Sequence, residues 1–366
     1  MKKGNSIELR LLKLILWTYI LICFIIAGLN YGYAKKATPE VAEFIYSFWH
    51  FYENWIKTII IIICSFLTIR IIRTTQDITM RKRNLIGFTI AAFLVHIIGP
   101  ILLHNKEIYF FTMPLPWTTT PLQLLYTDTA FYQSRVPIWG VAGITAALIV
   151  YICYSVIILI GTLLFGRRLQ CSTLCLFNGF VSEVFAPAFP LVGKKKETKP
   201  YLLKLFAILR WVFFIGALIF TIWWFLFLLG VQIPGDYQFI SRLETFRYLC
   251  AELLVAMFFW VVLLGRGYCH YCPLGTLLAL YGKAVGQQIS TDESKCIQCG
   301  KCNQACPMTI DIKSPAAVAK AVKDIRCVGC GHCIDACPTK TLRYTTGVLS
   351  WIRRKKLNSK GMVKGK

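Results

Sequence analysis

Acidic side chains are scarce in this chain: 17 Asp and Glu in 366 residues stand against 41 Lys and Arg, a formal net charge of +24. Charged residues make up only 16% of it, where a soluble domain carries about 25%. Together with 56% apolar residues, that shortage excludes an ordinary soluble protein. It excludes intrinsic disorder as well, because disordered chains of high charge are poor in aliphatic and aromatic residues. There is no Walker A loop, no Gly-x-Gly-x-x-Gly fingerprint opening a helix and no nucleophile elbow. The chain therefore has no recognisable substrate-converting module. Cys-x2-Cys-His is also missing, which excludes covalent c-type haem.

What is present is a set of long apolar runs. Six are long enough to cross a hydrocarbon core, which takes about 20 helical residues: 11–30, 57–74, 84–104, 138–165, 203–230 and 246–265. In lipid such runs must be helices, because only a helix satisfies its backbone polar groups internally. Lysine and arginine set the orientation. Sixteen of them, from Lys2 through Arg70, Arg81, Arg167 and Arg168 to Lys204, fall on one side, and seven, Lys35 to Arg247, on the other. Both termini are thereby expected in the cytoplasm of a bacterial inner membrane. The positive charge follows membrane topology, so nucleic acid is not expected as a partner. A basic start, an apolar run and Gly32-Tyr33-Ala34 also suit a signal peptide, but the run is as long as a full span and reads better as an uncleaved anchor.

On the outer side, Phe44, Tyr46, Phe48, Trp49, Phe51, Tyr52 and Trp55 crowd a short loop, read as an interfacial aromatic belt. A second outer loop, Met113 to Thr120, is rich in proline, threonine and aromatics and is read as a surface that docks a partner. A tail, 346–366, carries many Lys and Arg and no acid. It is either a tether to anionic lipid or a solvated end.

The sixteen cysteines are concentrated. Residues 296–307 read Cys-Ile-Gln-Cys-Gly-Lys-Cys-Asn-Gln-Ala-Cys-Pro, and 327–338 read Cys-Val-Gly-Cys-Gly-His-Cys-Ile-Asp-Ala-Cys-Pro. This is C-x2-C-x2-C-x3-C-P twice over, the run of bacterial two-cluster ferredoxins, in which the fourth cysteine serves the other cluster. Cys296, Cys299, Cys302 and Cys337 are expected to hold one [4Fe-4S] cluster. Cys327, Cys330, Cys333 and Cys306 are expected to hold the other. Gly300, Gly329 and Gly331 let the backbone bend around each cube. Zinc prefers separated ligand pairs, and disulfides are disfavoured in the cytosol.

Two more pairs, Cys171/Cys175 and Cys269/Cys272, each follow a Gly-Arg where an apolar run ends. They form an internal repeat that brings four thiols to one face. A third iron-sulfur cluster, a pair of redox-active dithiols and a structural zinc site are all open readings. Cys23, Cys64, Cys153 and Cys250 lie in apolar runs and read as small buried hydrophobes.

These motifs resemble the polytopic membrane ferredoxins typified by the NapH quinol-dehydrogenase subunit of periplasmic nitrate reduction and the membrane half of NosR-type proteins. The resemblance covers about residues 80 to 340. Leu176 stands where the family has proline after the first pair, and the second pair is one residue shorter. The resemblance implies electron transfer between the quinone pool, menaquinone or ubiquinone, and a partner redox protein, as in anaerobic respiration.

The expected architecture is an all-α polytopic membrane domain of about six helices (1–265), a cysteine-motif connector (266–290), an α+β two-cluster ferredoxin domain (291–345) and the basic tail. Ionisable groups in a bilayer are costly and hence candidates for function. His96 lies in the third span, His104 near its outer end, Arg210 in the inner part of the fifth span and Glu252 in the outer part of the sixth. His104 and Glu252 are read as a proton relay to a quinone site, and Arg210 as a contact to a quinone headgroup or a snorkelling side chain. His50 with His104 is a weaker candidate for haem. The reading of an electron-transfer protein competes with that of a redox-active assembly or regulatory factor for a metalloenzyme.

Overall fold

The computed structural model describes residues 6–34, 36–73, 78–188, 200–231, 237–247, 254–261, 266–291 and 296–359. Five helical stretches among them are long and apolar enough to cross a membrane: Ile7–Gly28, Pro39–Arg73, Thr79–Leu103, Ala130–Phe165 and Pro200–Leu228. They contain α1 (Ser6–Gly28), α2 (Pro39–Phe51), α3 (Lys57–Arg73), α4 (Thr79–Phe93), α5 (Gly99–Leu103), α6 (Ala130–Phe165) and, after the short α7 (Gly179–Phe185), α8 (Pro200–Leu228). Residues 248–253 and 262–265 of the sixth expected run lie outside the described residues. Between them α10 (Val255–Val261) is helical, and it follows α9 (Tyr237–Phe246).

On α8 the buried residues Phe206, Arg210, Phe214, Ala217 and Trp224 recur at helical spacing, while Ile208, Val212, Ile215, Ile219 and Ile222 point outward. A helix apolar on every side is a helix bathed in lipid or core. Two expectations about the loops need correction. The aromatic run 44–55 is no loop: α2 continues through a π-helical turn, Tyr52–Ile56, into α3. Phe44, Phe48, Phe51 and Trp55 are exposed as a belt requires, yet Tyr52 is buried inside the bundle. The segment 113–120 is not a docking surface either. It folds inward, so that Trp117 is 3% exposed and packs on Phe177 and Tyr268, which flank the two membrane-side cysteine pairs. Burying an indole among aromatic rings outweighs exposing it at a surface.

The C-terminal module begins at β1 (Gln288–Ser290), three residues before the expected boundary. It continues through α12 (Lys301–Ala305), α13 (Lys313–Ala317) and α14 (His332–Asp335) to β2 (Arg343–Thr345), which pairs antiparallel with β1. It is preceded by α11 (Pro273–Ala284) and followed by α15 (Gly347–Ser359).

This module is bonded into the membrane domain. The start of α4 has no side-chain cap of its own, since Ile78 stands at the N-cap. Its free N–H groups at Met80 and Arg81 donate instead to the Asp335 carboxylate, at 2.9 to 3.1 Å, so the module supplies the cap that the helix lacks. The Tyr344 hydroxyl donates to the Phe165 carbonyl, Ser172 to the Val328 carbonyl and Asn84 to the Cys330 carbonyl, each at 2.8 Å. The module thus lies at the end of the bundle where α4 begins and α6 ends. Leu103 and Ala130 lie at the opposite, far end.

Candidate functional site

The eight cysteines of the module line two cavities. One is walled by Cys306, Cys327, Cys330 and Cys333, the other by Cys296, Cys299, Cys302 and Cys337. Each wall takes three cysteines from one run and the last from the other run. Among the described residues no three His, Cys, Asp or Glu side chains converge tightly enough for a single ion. Eight thiols spread around two hollows suit bodies of several atoms, and the donor chemistry is that of cubane iron-sulfur clusters. Gly331, at φ 78°, shows why glycine is needed: a Cβ there would stand 2.6 Å from the Met80 side chain. The close approach that brings this loop onto α4 is open only to glycine.

The two hollows differ in surroundings. Burial pushes the thiols of Cys306, Cys327 and Cys330 each up to about 11. Burial also acts on Cys337, but hydrogen bonds from Thr341 and Thr339 outweigh it and bring its thiol down to about 7. Cys299 is exposed, and Cys330 and Cys333 are buried. The first hollow therefore faces the membrane domain and the second faces solvent.

Cys171, Cys175, Cys269 and Cys272 come together beneath the first hollow, around one guanidinium. Arg167, 1% exposed, donates from Nε to Cys171 Sγ at 3.2 Å, from Nη2 to the Cys269 carbonyl at 3.0 Å and from Nη1 to the Ile325 carbonyl at 3.2 Å. Asn178 Nδ2 donates to Cys269 Sγ at 3.0 Å. No carboxylate among the described residues pairs with Arg167. A buried guanidinium cannot shed its proton, and an uncompensated buried charge is costly. The surroundings of Arg167 thus call for negative charge on the neighbouring thiols. Thiolates would meet that demand and a neutral disulfide would not.

A second ionic hub joins the module to the membrane domain. Glu183, fully buried on α7, accepts from Arg81 Nε and Arg266 Nη2 at 3.0 Å and meets His332 Nε2 at 2.8 Å. Burial alone would raise its pKa. His332, Arg81 and Arg266 outweigh burial and hold the carboxyl well below the usual range. His332 lies between Cys330 and Cys333, so the hub grips the loop that walls the first hollow. Sequence reasoning passed over Glu183, although a lone acid inside Phe180-Val181-Ser182-Glu183-Val184-Phe185 is a legible signal.

The other expected residues separate. Arg210 neither snorkels nor faces an open site: it is buried and donates to the His270 carbonyl at 2.8 Å, bracing the turn between Cys269 and Cys272. His104 is exposed at the far end, and Glu252 lies outside the described residues. Cys153 is exposed rather than buried, and Cys250 is not among the described residues.

His96 instead lines a cavity of about 540 Å³ inside the bundle. Its walls run from Tyr46, His50, Glu107 and Arg135 at the far end to Gln170, Leu174 and Cys175 beside the membrane-side cysteines. Arg135 and Tyr154 both line it from α6, on either side of the kink at Gly140. The wall is mostly apolar, with polar groups at intervals. The four described π-helical turns, Leu29–Tyr33, Tyr52–Ile56, Leu94–Ile98 and Gln170–Leu174, all contribute to it, through residues such as Asn30, Glu53, His96 and Gln170. Such bulges are rare and collect at functional sites.

Residues 288–340 match the family described as a 4Fe-4S dicluster domain. The C-terminal segment is a 4Fe-4S dicluster ferredoxin domain. Iron-sulfur electron transfer is accordingly the role of this end of the chain. An uncharacterised protein of Methanocaldococcus jannaschii is 35% identical to the chain over 79 residues, 20% of this chain and 31% of that protein. The matched stretch therefore spans about a third of that relative. No solved structure matches the chain. Attached to helices long and apolar enough to span a membrane, the ferredoxin domain makes this a membrane-associated iron-sulfur protein.

Proposed function

We propose that the protein passes electrons between a membrane quinone and a soluble redox partner, as the NapH- and NosR-like membrane ferredoxins do, from a bacterial inner membrane with the ferredoxin domain in the cytoplasm. One observation carries the reading: a mostly apolar cavity of about 540 Å³, lined from Glu107 and Arg135 at the far end, reaches Cys175. Ligand pockets of this kind are mostly apolar with a few polar groups that orient the ligand.

In this reading Cys306, Cys327, Cys330 and Cys333 ligate one [4Fe-4S] cluster and Cys296, Cys299, Cys302 and Cys337 the other. Cys171, Cys175, Cys269 and Cys272 ligate a third centre whose charge balances Arg167. Bound there, the clusters supply one-electron transfer. The chain's own residues do the rest. Trp117 and Phe177 close the cavity against the cysteine turns, Arg167 and Arg210 hold those turns in place, and Glu183 keeps the ferredoxin domain seated on the membrane domain. The distal centre, at exposed Cys299, is where a partner protein would exchange electrons.

The test is anaerobic. The purified protein is reduced with dithionite, freed of excess reductant and mixed with a menaquinone analogue while the clusters are followed optically and by EPR. Rapid reoxidation that is lost in Ala91→Phe, which fills the cavity wall, supports the reading. Clusters that stay reduced with quinone yet reoxidise with a soluble oxidant would sink it, and the assembly or regulatory role would take its place.

A further inference from the structure

Electrons and protons have different ways out of this cavity. Its ferredoxin end meets Cys175, and among the described residues lining the cavity at that end none is an acid or a histidine. Its far end has both. His50 is 3% exposed, and its Nδ1 has no hydrogen-bond partner. Its Nε2 stands 3.5 Å from Glu107 Oε1. Glu107 also accepts a hydrogen bond from the Tyr46 hydroxyl and pairs with Arg135 Nη2 at 3.1 Å. The Arg135 side chain is 21% exposed, so Glu107, at 9%, lies one contact from water at the far face. Further in, His96 is 3% exposed, lines the same cavity and has an unpartnered Nδ1. Two buried histidines with open ring nitrogens on one cavity are unusual, because buried polar groups are nearly always satisfied. They suit a ligand whose hydroxyls make the missing bonds.

We propose that His96, His50 and Glu107 carry the quinol protons to the far face, so that electron transfer through this protein separates charge across the membrane. This rests on the quinone reading. The balance is simple: a quinol loses two electrons and two protons to become a quinone. The electrons leave one at a time through the cysteine sites on the ferredoxin side. The protons pass from the quinol hydroxyls to the histidine nitrogens, then to the Glu107 carboxylate, and reach water beside Arg135. His104, exposed at the same end, is not in this chain. Lys57, paired with Glu53 at 2.7 Å, lines the same cavity.

The experiment uses the full-length protein in sealed liposomes, with a reduced menaquinone analogue in the membrane and ferricyanide outside. Ferricyanide takes up no proton on reduction, so any pH change comes from the quinol alone. In vesicles whose ferredoxin domain faces outward, trapped pH dye should report acidification of the interior, two protons per quinol, with a membrane potential that an uncoupler abolishes. Glu107→Gln and His50→Gln should slow proton release and quinol oxidation at least about tenfold and shift the pH profile of the rate, while dithionite still reduces the clusters at the original rate. Protons released on the ferricyanide side, or unchanged rates and profiles in both variants, would overturn the proposal while leaving quinone oxidation standing. If no quinol is oxidised at all, the quinone reading fails and this proposal falls with it.

Discussion

At the scale of single residues the molecule is organised by buried arginines. Arg81, Arg167 and Arg266 are each 7% exposed or less. A guanidinium in such a place is tolerated only beside compensating charge. For Arg81 and Arg266 that charge is Glu183. Glu183→Leu would strand both cations. Breaking a buried pair in this way costs about 3 to 5 kcal/mol, and we expect the ferredoxin domain to loosen from the membrane domain. Limited proteolysis around residues 286–296 and the melting temperature in detergent would show it. Unchanged cleavage and melting would mean that the hub is dispensable. Asp335→Ala is a milder version, because it removes only the borrowed cap of α4, worth about 0.5 to 2 kcal/mol. The same melting assay should rank the two variants in that order.

At the scale of elements, the doubled cysteine run makes a sharp claim, since its last cysteine serves the other run's site. Cys306→Ser and Cys337→Ser should therefore have crossed effects. Cys306→Ser should disturb the centre held by Cys327, Cys330 and Cys333, and Cys337→Ser the one held by Cys296, Cys299 and Cys302. EPR spectra and potentials of the two centres would decide, because the buried and the exposed hollow give different environments. If each variant disturbed the centre of its own run, the assignment would be wrong. The run was legible because its spacing is dictated by the chain's need to wrap a cube. Lipid-crossing helices were legible for a similar reason, since length and apolarity suffice. The inward fold of 113–120 was not legible: its aromatics and threonines suit a surface as well as a core, and only the packing of Trp117 on Phe177 and Tyr268 decides between them. Nor were the π-helical turns, which shift a helix by one residue without altering its apolar pattern. The sequence paired His50 with His104 as candidate haem ligands, whereas the fold sets His50 with His96 on one cavity and leaves His104 exposed.

At the scale of the whole molecule the sites are ordered, and the order can be tested. The cavity ends at Cys175. Cys171 and Cys269 pack against the core that contains Cys330 and Cys333. Cys299 stands at the opposite, exposed edge of the ferredoxin domain. Among the described acids of that domain, Asp324 pairs with Arg326 and Asp335 caps α4, while Asp311 stays exposed with its charge beside the neutral Asn303 amide. Lys301, Lys313, Lys320 and Lys323 are exposed on it, so in the proposed reading its described surface carries more Lys than free acid and would suit an acidic carrier steered by charge. Replacing the outermost ligand, Cys299→Ser, should then leave quinol able to reduce the inner centres while transfer to an acidic soluble acceptor collapses. Replacing Cys171 or Cys269 should do the reverse, leaving the outer centres reducible by dithionite but not by quinol. Stopped-flow absorbance with each electron donor in turn reads both halves of this cross. A quinol that still reduced the outer centres at full speed without Cys171 and Cys269 would mean that the path skips the repeat, and that those four thiols serve the structure rather than the current.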